Sequence, residues 1–312
     1  MGVLAIQDRQ WDDAVADLSE AVRLDPSQGA AWARLGQAYY GMARSTRGAD
    51  SAPALRQSVD AYAKAVERTP NDAAYRNGYA LALAASGRYD EIQPEMEKAA
   101  ALDPAKAAQY YYTFGGILLS SGRPQAAAGA LGKAAQAAPG VPEIQFPYGC
   151  ALASQARITE DGKAALPAAA IGAFREYLRL APSGPFASVV KDALAFDGSR
   201  VRTSLGEPVA EKPGAPQALS VGGAVQQAKL VSQPSPVYPP LARRLRLAGT
   251  VSLNALIGED GAVIGLAVES GNPFLAGAAL DAVKQWRYTP TLLNDRPVRI
   301  RTRIDVVFAL SR

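Results

Sequence analysis

Five stretches of the chain end alike: Ala21-Val-Arg-Leu-Asp-Pro26, Ala65-Val-Glu-Arg-Thr-Pro70, Ala99-Ala-Ala-Leu-Asp-Pro104, Ala134-Ala-Gln-Ala-Ala-Pro139 and Tyr177-Leu-Arg-Leu-Ala-Pro182. Their prolines are 44, 34, 35 and 43 residues apart, which is one period of 34 with insertions of 10, 0, 1 and 9. Eight positions before each proline stands a large apolar side chain: Leu18, Tyr62, Met96, Leu131 and Phe174. Twelve before it stand Ala14, Ser58, Ala127 and Ala170, with Ile92 as the exception. Upstream lie Trp32-x-x-Leu35-Gly36-x-x-Tyr39 and Tyr111-x-x-Phe114-Gly115-x-x-Leu118. Apolar residues at i, i+3 and i+4 make one face of a helix. Small residues let two such faces approach, and proline ends one helix and opens the next unit. The unit is a pair of helices, repeated in phase.

This pattern resembles the tetratricopeptide repeat family over about residues 1–182. The segment Phe186-Ala-Ser-Val-Val-Lys-Asp-Ala-Leu-Ala-Phe196 reads as one more amphipathic helix, the cap that a stacked array needs. Counting back from Pro26, the first unit begins before Met1, with Gly2 where Gly36 and Gly115 fall. The expectation is that upstream sequence, with a membrane anchor or export signal, is missing. Arrays of this family present a concave groove to peptides. By phase Tyr40, Asn77, Leu81, Tyr112 and Leu119 face it; the alternative, which the pattern favours for the tyrosines, is packing between units. The ligand of such a groove is unknown.

From Gly198 to Gln227 the helical pattern stops and Gly, Pro, Ser, Ala and Gln dominate, which reads as a flexible spacer. A second pattern begins at Lys229. Pro239-Pro-Leu241-Ala-Arg-Arg-Leu245 reads as a short helix that Gly249 ends. Thr250 to Ile257 alternates as a strand with Val251, Leu253, Ala255 and Ile257 inward. Gly258-Glu-Asp-Gly261 is a turn, and Ala262 to Ser270 is the return strand, whose inward face the pattern leaves open. Asn272-Pro273 caps a helix with Leu275, Ala279, Val283 and Trp286 on one stripe. Val298 to Leu310 is the last strand, with Val298, Ile300, Ile304, Val306, Phe308 and Leu310 inward and Arg299, Arg301, Arg303 and Asp305 outward. The order α-β-β-α-β makes a small α+β layer.

Over about residues 229–310 the sequence is similar to the TonB C-terminal domain. Pro236-Val-Tyr238-Pro239, Gly249-x-Val251, Asp260-Gly261-x-Val263, Ser270-Gly271, Ala278-Ala-Leu-x-Ala282-Val283, Trp286-Arg-Tyr288-x-Pro290 and the final strand carry the resemblance. One position departs: Ser235 stands where the family often has Gln. The resemblance implies protein binding without chemistry and without a cofactor. It implies a periplasmic, envelope-anchored energy transducer. Its partners would be an outer-membrane TonB-dependent receptor and, given an upstream anchor, inner-membrane proton-motor proteins. The receptor segment would add as a strand beside Val298, Arg299, Ile300, Arg301, Thr302, Arg303, Ile304, Asp305 and Val306, with Ser235, Pro236, Tyr238 and Pro239 as a second contact. Strand addition uses the free N–H and C=O groups of a sheet edge, and the outward arginines would favour an acidic partner. The alternatives are a solvated edge, and a YP segment that only fixes how the chain enters its helix. At the level of function, the rival is a plain scaffold or adaptor with no motor coupling.

The 312 residues suffice for about two domains, and 48% apolar content excludes disorder throughout. With no histidine, every His-based catalytic group and zinc site is excluded. A single cysteine, Cys150, excludes an internal disulfide. Charge is uneven: residues 228–312 carry 11 Lys+Arg against 6 Asp+Glu, whereas residues 1–197 carry 19 against 21. That basicity lacks a cluster with interleaved aromatics, so nucleic acid is not an expected partner, nor is a small-molecule substrate. No phosphate loop, nucleophile elbow or metal spacing suggests an enzyme. The N-terminal apolar run, Val3 to Ile6, is too short for a signal peptide, which needs roughly 7–15 apolar residues. The expected architecture is multidomain: an all-α repeat array over 1–197, a spacer over 198–227 and the α+β domain over 228–312.

Overall fold

The computed structural model describes residues 10–46, 48–209, 218–223 and 229–310. The start of the first repeat, Gly2 included, lies outside them, as do 210–217 and 224–227 of the expected spacer and residue 228 at the start of the expected α+β domain. The chain forms two compact units that divide between Ile144 and Gln145.

Among the described residues, the first unit is built of helices and turns, without strands: α1 (Trp11–Leu24), α2 (Gly29–Ser45), α3 (Ala52–Arg68), α4 (Ala73–Ala85), α5 (Ile92–Leu102), α6 (Ala107–Ser120) and α7 (Pro124–Ala137). Helices α2 and α3, α4 and α5, and α6 and α7 are the pairs that the prolines announced. The small positions Ala14, Ser58 and Ala127 are fully buried, and so is the exception, Ile92. The large anchors seat on glycines of the preceding helices. A Cβ on Gly36 would lie 2.7 Å from the Tyr62 ring, and one on Gly115 would lie 2.4 Å from Leu131. The Ser58 hydroxyl donates to the Gly36 carbonyl at 2.8 Å, so its polar atom is satisfied in the seam. The ten-residue insertion forms a short 3-10 turn, Gly48–Ser51, between α2 and α3.

The second unit begins inside α8 (Pro142–Ala153). It continues through a small hairpin of β1 (Arg157–Ile158) and β2 (Ala164–Ala165), then α9 (Ala168–Leu180) and α10 (Ala187–Phe196). The hairpin is the nine-residue insertion of the last repeat. Next come β3 (Ser204–Gly206), β4 (Leu219–Ser220), β5 (Leu230–Ser232), α11 (Pro240–Arg244), β6 (Gly249–Ile257), β7 (Val263–Ser270) and α12 (Pro273–Val283). The chain ends with β8 (Arg287–Tyr288), β9 (Thr291–Leu293), β10 (Arg296–Val298) and β11 (Ile300–Phe308). The main sheet has the order β3-β7-β6-β11-β4. Strands β7, β6 and β11 are antiparallel, and β4 joins β11 in parallel.

Burial in the helix and strands follows the sequence pattern. Val251, Leu253, Ala255 and Ile257 of β6 and Leu275, Ala279, Val283 and Trp286 all enter the core. The inner face of β7 is Val263, Leu266 and Val268, at spacings of three and two, because bulges opposite Ser252/Leu253 and Leu256/Ile257 break the alternation. Helix α11 is ended by Arg246, which takes the left-handed conformation at φ 55°, with Leu247 N–H bonding back to Ala242 at 2.9 Å. Gly249, expected to end that helix, opens β6 instead.

Two expectations about the spacer differ from what the described residues do. First, Ser204–Gly206 and Leu219–Ser220 are strands of the main sheet, and Val201 and Val209 are buried. Second, the spacer does not set the cap apart from the α+β domain. One core contains Cys150, Phe174, Tyr177 and Val190 together with Leu245, Leu253, Leu275 and Ile304. Phe196 at the end of α10 stacks on Phe274 of α12 at 4.2 Å, and the Asn272 amide donates to the carbonyl of Ala153 at 3.0 Å. These contacts bury α12 on both sides.

Candidate protein-docking edge

Strand β11 carries Ile300, Thr302, Ile304, Val306 and Phe308 on the core side and Arg301, Arg303, Asp305 and Val307 on the outer face. It pairs with β6 in unbroken register from Ile300↔Ile257 to Phe308↔Gly249. Its other margin is the candidate edge. Leu219 N–H donates to Arg299 C=O and Val221 N–H to Arg301 C=O, each at 2.9 Å. The odd-numbered residues therefore direct their backbone groups to the margin, and the even-numbered ones direct theirs to β6. Only Ile300 and Arg301 have register partners in β4. Among the described residues, no strand pairs with the margin from Thr302 to Phe308. Thr302 is fully within the core layer and its hydroxyl has no hydrogen-bond partner among the described residues.

The segment read as one partner strand, Val298 to Val306, is divided. Val298 belongs to β10, which forms a hairpin with β9 across Asn294 and Asp295, both at positive φ. β11 starts at Ile300. The Asn-Asp pair was the available signal for this turn.

The outward arginines already hold partners from the chain itself. Arg299 pairs with Glu207 at 2.9 Å, and Arg301 donates to the Val209 carbonyl at 3.0 Å. Arg303 reaches Ser252 Oγ at 2.9 Å, Asp305 at 3.3 Å and Glu269 at 3.5 Å. The Ser252 hydroxyl in turn donates to Asp305 at 2.7 Å, and with Arg303 it holds the Asp305 carboxyl below the usual carboxylate range. Glu207 and Val209 reach this face by crossing the sheet from the β7 side. Glu207 N–H bonds Ile264 C=O at 2.8 Å. Gly265 makes room for the crossing: a Cβ there would lie 2.2 Å from the Glu207 carbonyl. A ladder read from the sequence as free for an acidic partner is thus engaged by residues of the spacer and of β6, β7 and β11.

Residues 234–310 match the family described as Gram-negative bacterial TonB protein C-terminal. Residues 1–49 and 43–91 match tetratricopeptide repeats. The chain carries tetratricopeptide repeats followed by a TonB C-terminal domain. Protein TonB of Vibrio cholerae is 34% identical over 110 residues, which are 32% of this chain and 45% of that protein. Protein TonB of Xanthomonas campestris is 36% identical over 78 residues, 24% of this chain and 35% of that protein. The chain thus matches less than half the length of either relative. Among solved structures, MamA is 18% identical with a TM-score of 0.46, over 58% of this chain and 95% of that one. The repeat protein TTC0263 of Thermus thermophilus is 20% identical with a TM-score of 0.40, over 48% of this chain and 77% of that one.

In the TonB domain the YP segment lies beside the far end of β11. Tyr238 meets Phe308 edge-on at 5.6 Å, and its hydroxyl donates to the Leu247 carbonyl. Trp286 Nε1 donates to Pro234 C=O at 3.1 Å. Pro236, Tyr238 and Pro239 are half-buried, and Ser235 is exposed. The segment fixes the path into α11. A cavity of about 500 Å³ opens next to it, with Ser235, Val237 and Pro239 on one wall and Phe274 and Asp281 on another.

The five repeat residues assigned to a groove all lie on the first helices of their pairs. Tyr40 is on α2, Asn77 and Leu81 on α4, Tyr112 and Leu119 on α6, and each keeps some exposure. Tyr40 lines a cavity of about 430 Å³ with Trp11, Gln37, Gly41, Arg44 and Ser45. The sequence reading missed Trp11 and Arg44 there. Among the described residues, no helix is long and apolar enough to cross a membrane.

Proposed function

We propose that this protein is a cell-envelope coupling protein whose TonB domain takes an extended receptor segment as an added strand on the β11 margin. The repeat array recruits a second protein partner. The reading carries over from TonB relatives the docking on outer-membrane receptors and the periplasmic setting. It rests on one observation: β11 directs the backbone groups of Arg303, Asp305 and Val307 to a margin that no described strand pairs. Backbone pairing gives affinity that depends little on the added sequence, and several ladder bonds loaded in shear resist force together.

Position decides how this is tested. A proline at Ile304 or Val306 removes a donor from the internal ladder with β6, so it damages the fold rather than the margin. Val307 is 67% exposed and its N–H faces the margin. Val307→Pro removes that donor alone, a change that edge strands tolerate. Loss of one ladder bond is expected to weaken the binding of synthetic peptides copying receptor periplasmic segments by about 3- to 10-fold. Peptide titration by calorimetry measures it. Unchanged affinity in a variant with unchanged thermal stability removes the strand-addition reading.

A further inference from the structure

The two ends of the spacer hold opposite sides of the TonB sheet. Ser204–Gly206 pairs with the outer edge of β7, and Glu207–Val209 crosses the outer face to Arg299 and Arg301. Leu219–Val221 then pairs in parallel with the margin of β11 at Arg299 and Arg301. Gly223 continues along that margin, close enough that a Cβ on it would lie 2.8 Å from the Arg303 carbonyl. Each feature that the sequence assigned to an outside partner is present here within the chain. There is an added strand on β11 and an acidic side chain on the arginine ladder; beyond these, a backbone carbonyl accepts from the guanidinium of Arg301.

We propose that the docking margin of the TonB domain is occupied at rest by the chain's own segment Leu219–Val221, held with Glu207, and that an extended protein partner gains the margin only by displacing it. This rests on the strand-addition reading above and adds an intrasteric competitor to it. The competitor is short. It uses two ladder donors, Leu219 and Val221, whereas the outward groups of Asp305 and Val307 lie beyond it. An entering strand therefore begins at the Val307 end and advances toward Arg299, exchanging the two bonds of Leu219 and Val221 for a longer ladder. It runs in the direction of the segment it replaces, parallel to β11. It has no proline at the positions whose N–H groups face β11. An acidic residue that replaces Glu207 on Arg299 adds a screened, exposed ion pair and gives selectivity more than strength. A tethered competitor acts at an effective concentration in the millimolar range, so it sets a threshold that weak, incidental strands do not pass.

The test uses the full chain with Leu219→Pro and Val221→Pro together, which delete both donors at the margin; Leu219 is exposed, and Val221 packs on the edge of the core, so thermal stability is recorded alongside. Two measurements decide it. Hydrogen exchange over residues 299–303 is expected to quicken in the double variant relative to the parent, with β6 unchanged. A synthetic peptide of this chain's own residues 215–223, titrated by NMR, is expected to bind the variant at least about tenfold more tightly than the parent, the factor for two ladder bonds removed from the competitor. Equal exchange at 299–303 overturns the proposal, and so does equal peptide affinity or no binding to the variant. A milder variant, Glu207→Lys, guards against misfolding: it is expected to shift both readings in the same direction by a smaller factor, and no shift counts against the role of Glu207. Because the peptide is the chain's own, failure of receptor peptides to bind would bear on the proposed function and leave this result standing.

Discussion

Tyr62 shows how much of the repeat array hangs on single side chains. Its ring lies where a Cβ on Gly36 or Gly78 would stand, at 2.7 Å and 2.4 Å, so two helices close on it from either side. That burial pushes its phenol up to about 12. Tyr288 in the TonB domain is pushed up to about 12 for the same reason. A folded-state value above the unfolded value of about 10 means that the folded state disfavours the phenolate. The associated stability is complete below pH 10 and is lost as pH rises from about 10 through 12. Tyr62→Phe keeps the ring and removes the titrating group. It should therefore flatten the alkaline loss of stability, with a difference on the order of 2 kcal/mol by pH 12. Denaturant unfolding of parent and variant at pH 8 and pH 11.5 measures it, and parallel losses would exclude Tyr62 as the cause. The sequence made this residue visible through its phase alone: a large side chain eight positions before Pro70 had to find small residues opposite.

At the scale of elements, what could be read from the sequence depended on whether one face of an element meets the core. The repeat helices, β6, the core side of β11 and the stripe of α12 have one buried face, and their periodicity was legible. β7 has bulges at both ends of its pairing, so its inner residues fall at 263, 266 and 268, and no alternation exists to be read. In α12 the run Phe274-Leu-Ala-Gly-Ala-Ala-Leu280 is apolar all round, which signals burial on two sides, and Phe196 and Ala164 supply the second side. The spacer was opaque for another reason. Strands β3 and β4 are two or three residues long and are held by pairing and by Arg299 and Arg301, so their own composition says little. At the candidate margin of β11, the sequence placed the arginines on the outer face but could not show that Glu207, Val209 and Glu269 already meet them. Cys150 offers a probe at this scale. It is fully buried between the last repeat helices, and burial pushes its thiol up. The folded chain should therefore resist alkylation by iodoacetamide at pH 8 and react once α8 and α9 separate. Stoichiometric labelling of the native chain within minutes would contradict that packing.

At the scale of the molecule, the last repeat and the TonB domain within the second unit share one hydrophobic core, and this decides what can move alone. An array tethered by a bare spacer would let the TonB domain open without disturbing α10. Here Val189, Val190 and Ala193 of α10 belong to the same buried cluster as Leu245, Leu275 and Phe308. Asp192 lies 3.7 Å from Arg244, and the Asn272 amide bridges to the end of α8. A load applied to β11 would therefore pass into α10 and α9 through packed side chains rather than through a slack chain. The contact to cut is Phe274, which is buried and stacked on Phe196. Phe274→Ala removes a ring from a filled core, a change that costs about 3–5 kcal/mol. If the core is cooperative, amides of α10 lose protection together with those of α12, by a similar factor, in hydrogen exchange followed by mass spectrometry. If the TonB domain is an independent body, α12 alone is affected and Ala187–Phe196 keeps the protection of the parent. The first outcome would make the last repeat and the TonB domain one mechanical unit; the second would restore the spacer as a hinge.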